Sequence, residues 1–241
     1  MSAATGARMD RMYRHQRHIY DLSRKFYLLG RERAVEALAP ASCVRICEIG
    51  CGTGRNLVAL ARRYPDAAIY GIDASEEMLK SARLKIARHG LGERIRVRRC
   101  LAEELDPGTT FGLAEPFDAL LFSYALSMMP AWEAALARAL AVLRPGGVLA
   151  VVDFSQQRGL PGWFRWLLRG WLALFEVTPR EGLAGYFGAR AAAERGRLTL
   201  TPICRDYASI LTYRKPLAPT RAAAAGSAGG GAVVDSPPVG G

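Results

Sequence analysis

The sequence predicts an α/β fold: a seven-stranded, mostly parallel sheet with an antiparallel C-terminal strand and helices on both faces. Three observations carry this. Five strand-like runs, "VRICEI" (44–49), "AIYGI" (68–72), "IRVRRCL" (95–101), "FDALLFSY" (117–124) and "GVLAVVDF" (147–154), are separated by stretches long enough for helices. A glycine-rich turn follows the first of them immediately. Two further strand-like runs, "LTLTPICR" and "YASILTY", stand close together near the end and suit an antiparallel pair. Strands alternating with helices build right-handed β-α-β units, which give parallel sheets covered on both faces.

Taken in order, residues 1–35 contain "MYRHQRHIYDLSRKFYLLGRER" (12–33), in which Tyr13, Tyr20 and Tyr27 recur every seven residues. Arg17, Arg24 and Arg31 each follow four later. On a helix these form one stripe of aromatic and guanidinium groups. The stripe fits either tyrosines buried in a core with solvated arginines, or a lid whose ring faces meet a cation and whose guanidinium groups meet a carboxylate or phosphate. Helices are expected over 54–63, 75–89 and 131–143, between the strands. The stretch 159–178 contains "GWFRWLLRGWLALF", with Trp163, Trp166 and Trp171 interrupted by Arg165 and Arg169. It is too short and charged to span a bilayer, which takes about 20 apolar residues. It reads as an interfacial helix among lipid headgroups, or as a surface helix whose rings cover the sheet. From Pro216 the chain turns to Ala, Gly, Pro and Ser, a composition expected to be disordered over 216–241.

The totals narrow the partners. With 33 basic and 22 acidic residues in 241, the net charge is +11, which attracts nucleic acid or an acidic membrane surface. Arg8, Arg11, Arg14 and Arg17 leave no apolar signal segment, so the expected location is the cytoplasm, peripheral on the inner face of the membrane. Five cysteines in such a chain argue against disulfides. Cys43, Cys47 and Cys51 are spaced by four, but no histidine or second cysteine pair completes a metal site, and they read as buried fillers.

The most informative segment is "CEIGCGTGRNL". Gly50, Gly52 and Gly54 alternate between a strand and a helix, where glycine permits a tight turn and close approach of a ligand. The dinucleotide loop places its third glycine one residue later, and here Glu48 adds negative charge that suits a cationic ligand. Asp73 ends the second strand, where a carboxylate accepts both hydroxyls of a ribose.

These residues resemble the class I S-adenosylmethionine-dependent methyltransferases, over roughly residues 10–214. "EIGCGTG" is similar to their first motif, "YGIDAS" to the ribose-binding strand end, "FDALLFSYAL" to the strand leading to the active site, and "VLRPGGVLAV" to the turn before the fifth strand. The resemblance implies a Rossmann-like fold and S-adenosylmethionine as cofactor. Gly50, Gly52 and Gly54 would cradle its methionine end, Asp73 would hold the ribose and Met78 would pack against the nucleoside side, with Glu48, Asn56, Ala74 and Ser123 as further cofactor-binding residues. Where the family often has an aspartate facing adenine, this chain has Leu101, so Ala102 or Glu103 would take over that contact. "SYALSMMP" stands in place of the N/D/S-P-P-Y/F/W motif that serves base amines, which lowers nucleic acid as a partner.

Three segments together, "YRHQRHIYDLSRKFYLLGR", "FSYALSMMP" and "GLPGWFRWLLRGWLALFEVTPR", resemble a narrower family, the bacterial betaine-lipid N-methyltransferases. That resemblance implies three successive methylations of diacylglyceryl-homoserine, a lipid made by a partner transferase. Tyr20, Tyr124 and Tyr13 would face the growing cation, and Arg17 and Arg31 the substrate anion. Phosphatidylethanolamine N-methylation, quinone C-methylation and a non-catalytic cofactor-binding role are the alternatives.

Overall fold

The computed structural model describes residues 28–39, 45–173, 177–180 and 182–217. Helix α1 (Arg31–Ala37) precedes β1 (Arg45–Ile49), α2 (Arg55–Arg63), β2 (Ala68–Asp73), α3 (Glu76–Arg88) and β3 (Ile95–Arg99). Then come α4 (Pro107–Phe111), β4 (Phe117–Ser123), α5 (Trp132–Val142), β5 (Leu143–Phe154), α6 (Gly162–Ala173), α7 (Leu183–Glu194), β6 (Arg197–Ile203) and β7 (Ala208–Arg214). Single 3₁₀ turns lie at Ala102–Glu104 and Leu126–Met128.

The strands form one seven-stranded sheet in the order β3-β2-β1-β4-β5-β7-β6. Strands β1 to β5 pair in parallel. The sheet closes with β7 antiparallel to β5, from Val148 opposite Arg214 to Phe154 opposite Ala208, and β6 antiparallel to β7. Every residue of "FDALLFS" is buried, the unbroken pattern of a strand covered on both faces. Side chains alternate between two apolar layers. Ile46, Leu121 and Ala150 join Val35, Leu57 and Leu79 on one side, while Cys47, Leu120 and Leu149 join Leu136 and Phe187 on the other. Thus α1, α2 and α3 cover one face and α5 and α7 the other.

Chain direction across the sheet reverses between β1 and β4. Loops leaving the carboxyl ends of these neighbours diverge to opposite faces and leave a crevice. The glycine loop, 50–54, enters it from β1 and Tyr124 from β4.

Helix α6 divides its aromatics. Leu168, Trp171 and Leu172 share one face and pack on the core. Trp163 (71% exposed), Trp166 (78%) and Leu167 lie on the other face, at spacings of three and four, in solvent. This corrects the expectation for Trp171, which stands on the inner face, half-buried. Arg165 is half-buried and Arg169 exposed, its guanidinium donating to the Gln156 carbonyl at 3.4 Å. Among the described residues no helix is long and apolar enough to cross a membrane.

Candidate active site

Backbone geometry at the end of β1 is set by glycine. Gly50 has φ of 75°, and a Cβ there would stand 2.7 Å from the Ala125 Cβ, so a side chain would both strain the turn and fill the crevice. The amides of Gly50 and Cys51 both donate to the Ile72 carbonyl at 2.9 Å, tying the loop to β2. Gly52 donates its amide to Asp73 Oδ2 at 2.8 Å. Asp73 Oδ1 accepts from the Ser75 amide at 2.9 Å, and Ser75 Oγ caps α3 by accepting from Met78 N. One carboxylate therefore fixes the glycine loop and the turn into α3 together.

Gly54 has a different task from the one expected. It does not line the crevice; at φ of 75° it starts α2, and a Cβ there would stand 3.1 Å from that of Ala82 on α3. Its smallness lets α2 and α3 approach.

The crevice encloses about 460 Å³, within the range of small-molecule sites. Glu48, Gly50, Gly52, Asn56, Asp73, Ala74, Met78, Ala102, Glu103 and Ser123 all line it, as do Arg31 and Tyr124. Glu48 is 1% exposed, with Oε1 accepting from Asn56 Nδ2 at 2.7 Å. Ser123 Oγ is buried without a hydrogen-bond partner among the described residues. Cys51 and Cys100 also line the wall; burial pushes both thiols up, away from thiolate chemistry. Cys47 is buried in the opposite apolar layer from Cys51, and no metal-binding cluster occurs among the described residues. Cys43, Tyr13, Arg17 and Tyr20 lie outside the described residues.

Tyr124 is 2% exposed, at φ of 53°. Its hydroxyl donates to the Leu29 carbonyl at 2.6 Å, and its ring meets that of Phe154 edge-on at 4.8 Å. Burial, then the nearby Asp153 charge, pushes this phenol well above its usual range, so the hydroxyl is no base. Tyr124 lines the crevice with its hydroxyl already bonded to Leu29.

Two residues that sequence reasoning missed hold the rim at 125–131. Fully buried Asp153 accepts from the Ser127 amide at 2.9 Å, and burial raises its pKa above the ordinary carboxylate value. Arg180 donates to the carbonyls of Leu126 (3.0 Å) and Met129 (2.6 Å). The signal for Asp153 was a carboxylate closing the apolar strand "GVLAVVDF".

Residues 46–147, which contain the glycine loop, Asp73 and β4, match the family described as a methyltransferase domain. Over those residues the chain is similar to methyltransferase domains. Its relatives include the ubiquinone/menaquinone biosynthesis C-methyltransferase UbiE of Syntrophotalea carbinolica, 32% identical over 170 residues, 68% of this chain and 66% of that one. The phosphatidylethanolamine N-methyltransferase of Cereibacter sphaeroides is 33% identical over 143 residues, 58% of this chain and 66% of that one. The chain thus spans slightly less than two thirds of either relative. Among solved structures, mitomycin 7-O-methyltransferase MmcR shares the fold at a TM-score of 0.63 and 16% identity, over 85% of this chain and 59% of that one.

The crevice suits S-adenosylmethionine. Two carboxylates, Glu48 and Asp73, stand at the ends of adjacent strands, and the cradle at Gly50 is one that a Cβ would fill. Acidic groups beside an open backbone match a cationic, hydroxyl-bearing ligand.

Proposed function

We propose that this methyltransferase N-methylates the headgroup amine of a membrane lipid, converting diacylglyceryl-homoserine into the trimethylated betaine lipid. The observation that carries the reading is the outer face of α6. Trp163, Trp166 and Leu167 stand in solvent on a helix whose inner face is packed on the core. Exposed tryptophan beside arginine suits the headgroup layer of a bilayer, and the net charge of +11 draws the protein to anionic lipid. Both flanks of α6 adjoin the reactive end of the sheet: β5 leads into it, and Arg180 beyond it is bonded to the crevice rim. Resemblance of the flanking segments to the betaine-lipid enzymes favours homoserine over ethanolamine.

In this reading Gly50 and Gly52 receive the methionine end of the cofactor beside Glu48 and Asn56. Asp73, at the end of β2 and lining the crevice, accepts the ribose hydroxyls, and Ala74, Met78 and Ser123 flank the nucleoside. Backbone groups at Ala102, or Glu103, serve adenine. Bound S-adenosylmethionine supplies a methyl group on a positively charged sulfur. Alignment of the acceptor then dominates the rate. The amine reacts only when unprotonated, and the apolar, enclosed wall at Tyr124, Ala125 and Met128 favours that form. Rings of Tyr124, Tyr20 and Tyr13 would stabilise the quaternary product by about 0.5–2 kcal/mol each, and Arg31 and Arg17 would hold the headgroup carboxylate. The lipid comes from a partner transferase that assembles diacylglyceryl-homoserine.

Quinone C-methylation is the second reading, favoured by the similarity to the quinone enzyme over 68% of the chain. Incubating the protein and methyl-labelled cofactor with vesicles holding diacylglyceryl-homoserine, phosphatidylethanolamine or a demethylated quinol separates them. Label confined to the homoserine lipid is the expected outcome; label in the quinol alone refutes the amine reading.

A further inference from the structure

The loop that follows β4 forms a rim on the crevice. Ala125, Met128, Met129, Pro130 and Ala131 all line it, and they are apolar. This rim abuts the glycine turn: a Cβ at Gly50 would stand 2.7 Å from that of Ala125 and 3.3 Å from Met129 Cε. In the sheet β1 lies between β2 and β4, so Asp73, at the end of β2, and the rim stand on opposite sides of Gly50. A cofactor held by its ribose at Asp73 and by its methionine end at Gly50 occupies the side from β2 to β1. The acceptor is left the side beyond Gly50, walled by the rim.

The backbone of that wall is fixed from outside. The peptide unit joining Leu126 to Ser127 is held at both ends: its carbonyl accepts from Arg180 Nε at 3.0 Å, and its N–H donates to Asp153 Oδ2 at 2.9 Å. The unit is trans and planar, so partners on its opposed carbonyl and N–H fix the rotation of the whole plane. The next carbonyl, that of Ser127, accepts from the Thr178 amide at 2.9 Å. Arg180 Nη2 reaches on to the Met129 carbonyl at 2.6 Å, so one guanidinium joins two carbonyls three residues apart. Bonds from a charged donor are among the stronger ones, and the planar fork gives Arg180 a two-point hold that a lysine ammonium does not reproduce. Of the turn's own bonds, Met128 N to the Ala125 carbonyl and Met129 N to that of Leu126, both are 3.1 Å long. Arg180 and Asp153 thus supply the shorter and charged part of what holds this wall.

We propose that Arg180 is a positioning residue for methyl transfer: by holding the Leu126 and Met129 carbonyls it fixes the wall against which the acceptor is aligned, and so sets turnover more than cofactor affinity. The assignment rests on the methyl-transfer reading above, and it holds for an amine or a quinol acceptor alike. In-line displacement depends steeply on alignment; a misplacement of about 1 Å can cost roughly a hundredfold in rate.

The test uses the full chain with Arg180→Lys and Arg180→Gln. Methyl-labelled S-adenosylmethionine is supplied with whichever of the three vesicle preparations above the wild-type protein methylates, and S-adenosylhomocysteine binding and thermal melts are measured beside it. Arg180→Lys keeps the charge but loses the fork. It is expected to melt close to wild type and to bind S-adenosylhomocysteine with wild-type affinity, yet to turn over about tenfold or more slowly. Arg180→Gln, without the charge, falls at least as far. A merely structural arginine gives a different split: well below the melting midpoints, both folded variants turn over at the wild-type kcat. That result overturns the proposal. So does S-adenosylhomocysteine affinity that falls in step with kcat, which would make the rim part of the cofactor cradle. Wild-type protein that binds S-adenosylhomocysteine but labels none of the three preparations refutes the methyl-transfer reading itself, and the role of Arg180 with it.

Discussion

Helix α6 allows a double test, because its two faces have different jobs. Trp163 and Trp166 are 71% and 78% exposed and touch no core, whereas Trp171 packs inward with Leu168 and Leu172. A tryptophan side chain offers about 150–250 Å². With roughly three quarters of that free to enter lipid, at about 25 cal/mol per Å², each outer ring could contribute up to about 4 kcal/mol. Partial insertion at the headgroup level leaves about 2 kcal/mol, a conservative working value. Replacing both by alanine should then weaken vesicle partitioning by about 4 kcal/mol, between two and three decades. Co-sedimentation with anionic vesicles reads this, with raised salt weakening what remains. The same double variant should keep its melting temperature and its affinity for S-adenosylhomocysteine. Trp171→Ala should do the reverse. Full burial of a tryptophan is worth about 3–5 kcal/mol on truncation, so a half-buried one loses about 2 kcal/mol. In a chain of this size that lowers the midpoint by roughly 4–8 °C. Vesicle binding by the Trp163→Ala/Trp166→Ala protein equal to wild type refutes the interfacial reading, and an unchanged midpoint for Trp171→Ala refutes the division of faces.

Three further outcomes follow from the crevice. Asp73→Ala removes two charged backbone bonds as well as the ribose acceptor; calorimetry should show S-adenosylhomocysteine affinity falling by at least 2–3 kcal/mol, and an unchanged dissociation constant contradicts the assignment. Gly50→Ala puts a methyl 2.7 Å from the Ala125 Cβ at positive φ, so cofactor binding should be lost in a protein that still folds; wild-type affinity would show that the loop does not cradle the ligand. Asp153 has a folded-state pKa raised by burial, so its carboxyl favours the fold most below its unfolded value of about 4 and progressively less as pH rises through the higher folded value. Thermal melts from about pH 4 to 7 should therefore show the advantage of wild type over Asp153→Asn shrinking as pH rises; an advantage that grows with pH contradicts a raised pKa.

Much of the fold was legible because the central strands β1, β2, β4 and β5 are covered on both faces and announce themselves as largely apolar runs. The five parallel strands and the antiparallel closing pair fall where the sequence put them, within a few residues at their ends. Helix α7 was not foreseen. Its sequence, "LAGYFGARAAAE", mixes glycine and alanine, and no side chain caps its start at Gly182, so it carries neither period nor punctuation. It is helical because Leu183 and Phe187, one turn apart, bury against the sheet. The candidate site divides the same way. Local chemistry identified Gly50, Gly52 and Asp73, since a tight turn and a strand-end carboxylate are written in adjacent residues. Asp153 and Arg180 acquire their purpose only when β5 and the chain after α6 meet the 125–131 rim. Trp171 was grouped with Trp163 and Trp166 because α6 is apolar nearly all round and only packing chooses its inner side.

The most direct measurement of the central claim is mass spectrometry of lipids from cells that make diacylglyceryl-homoserine, with and without this chain. The account predicts that the precursor disappears and a lipid heavier by three methyl-for-hydrogen replacements takes its place, while phosphatidylethanolamine and quinols are unchanged. Precursor that persists unmethylated beside a folded, cofactor-binding protein contradicts it.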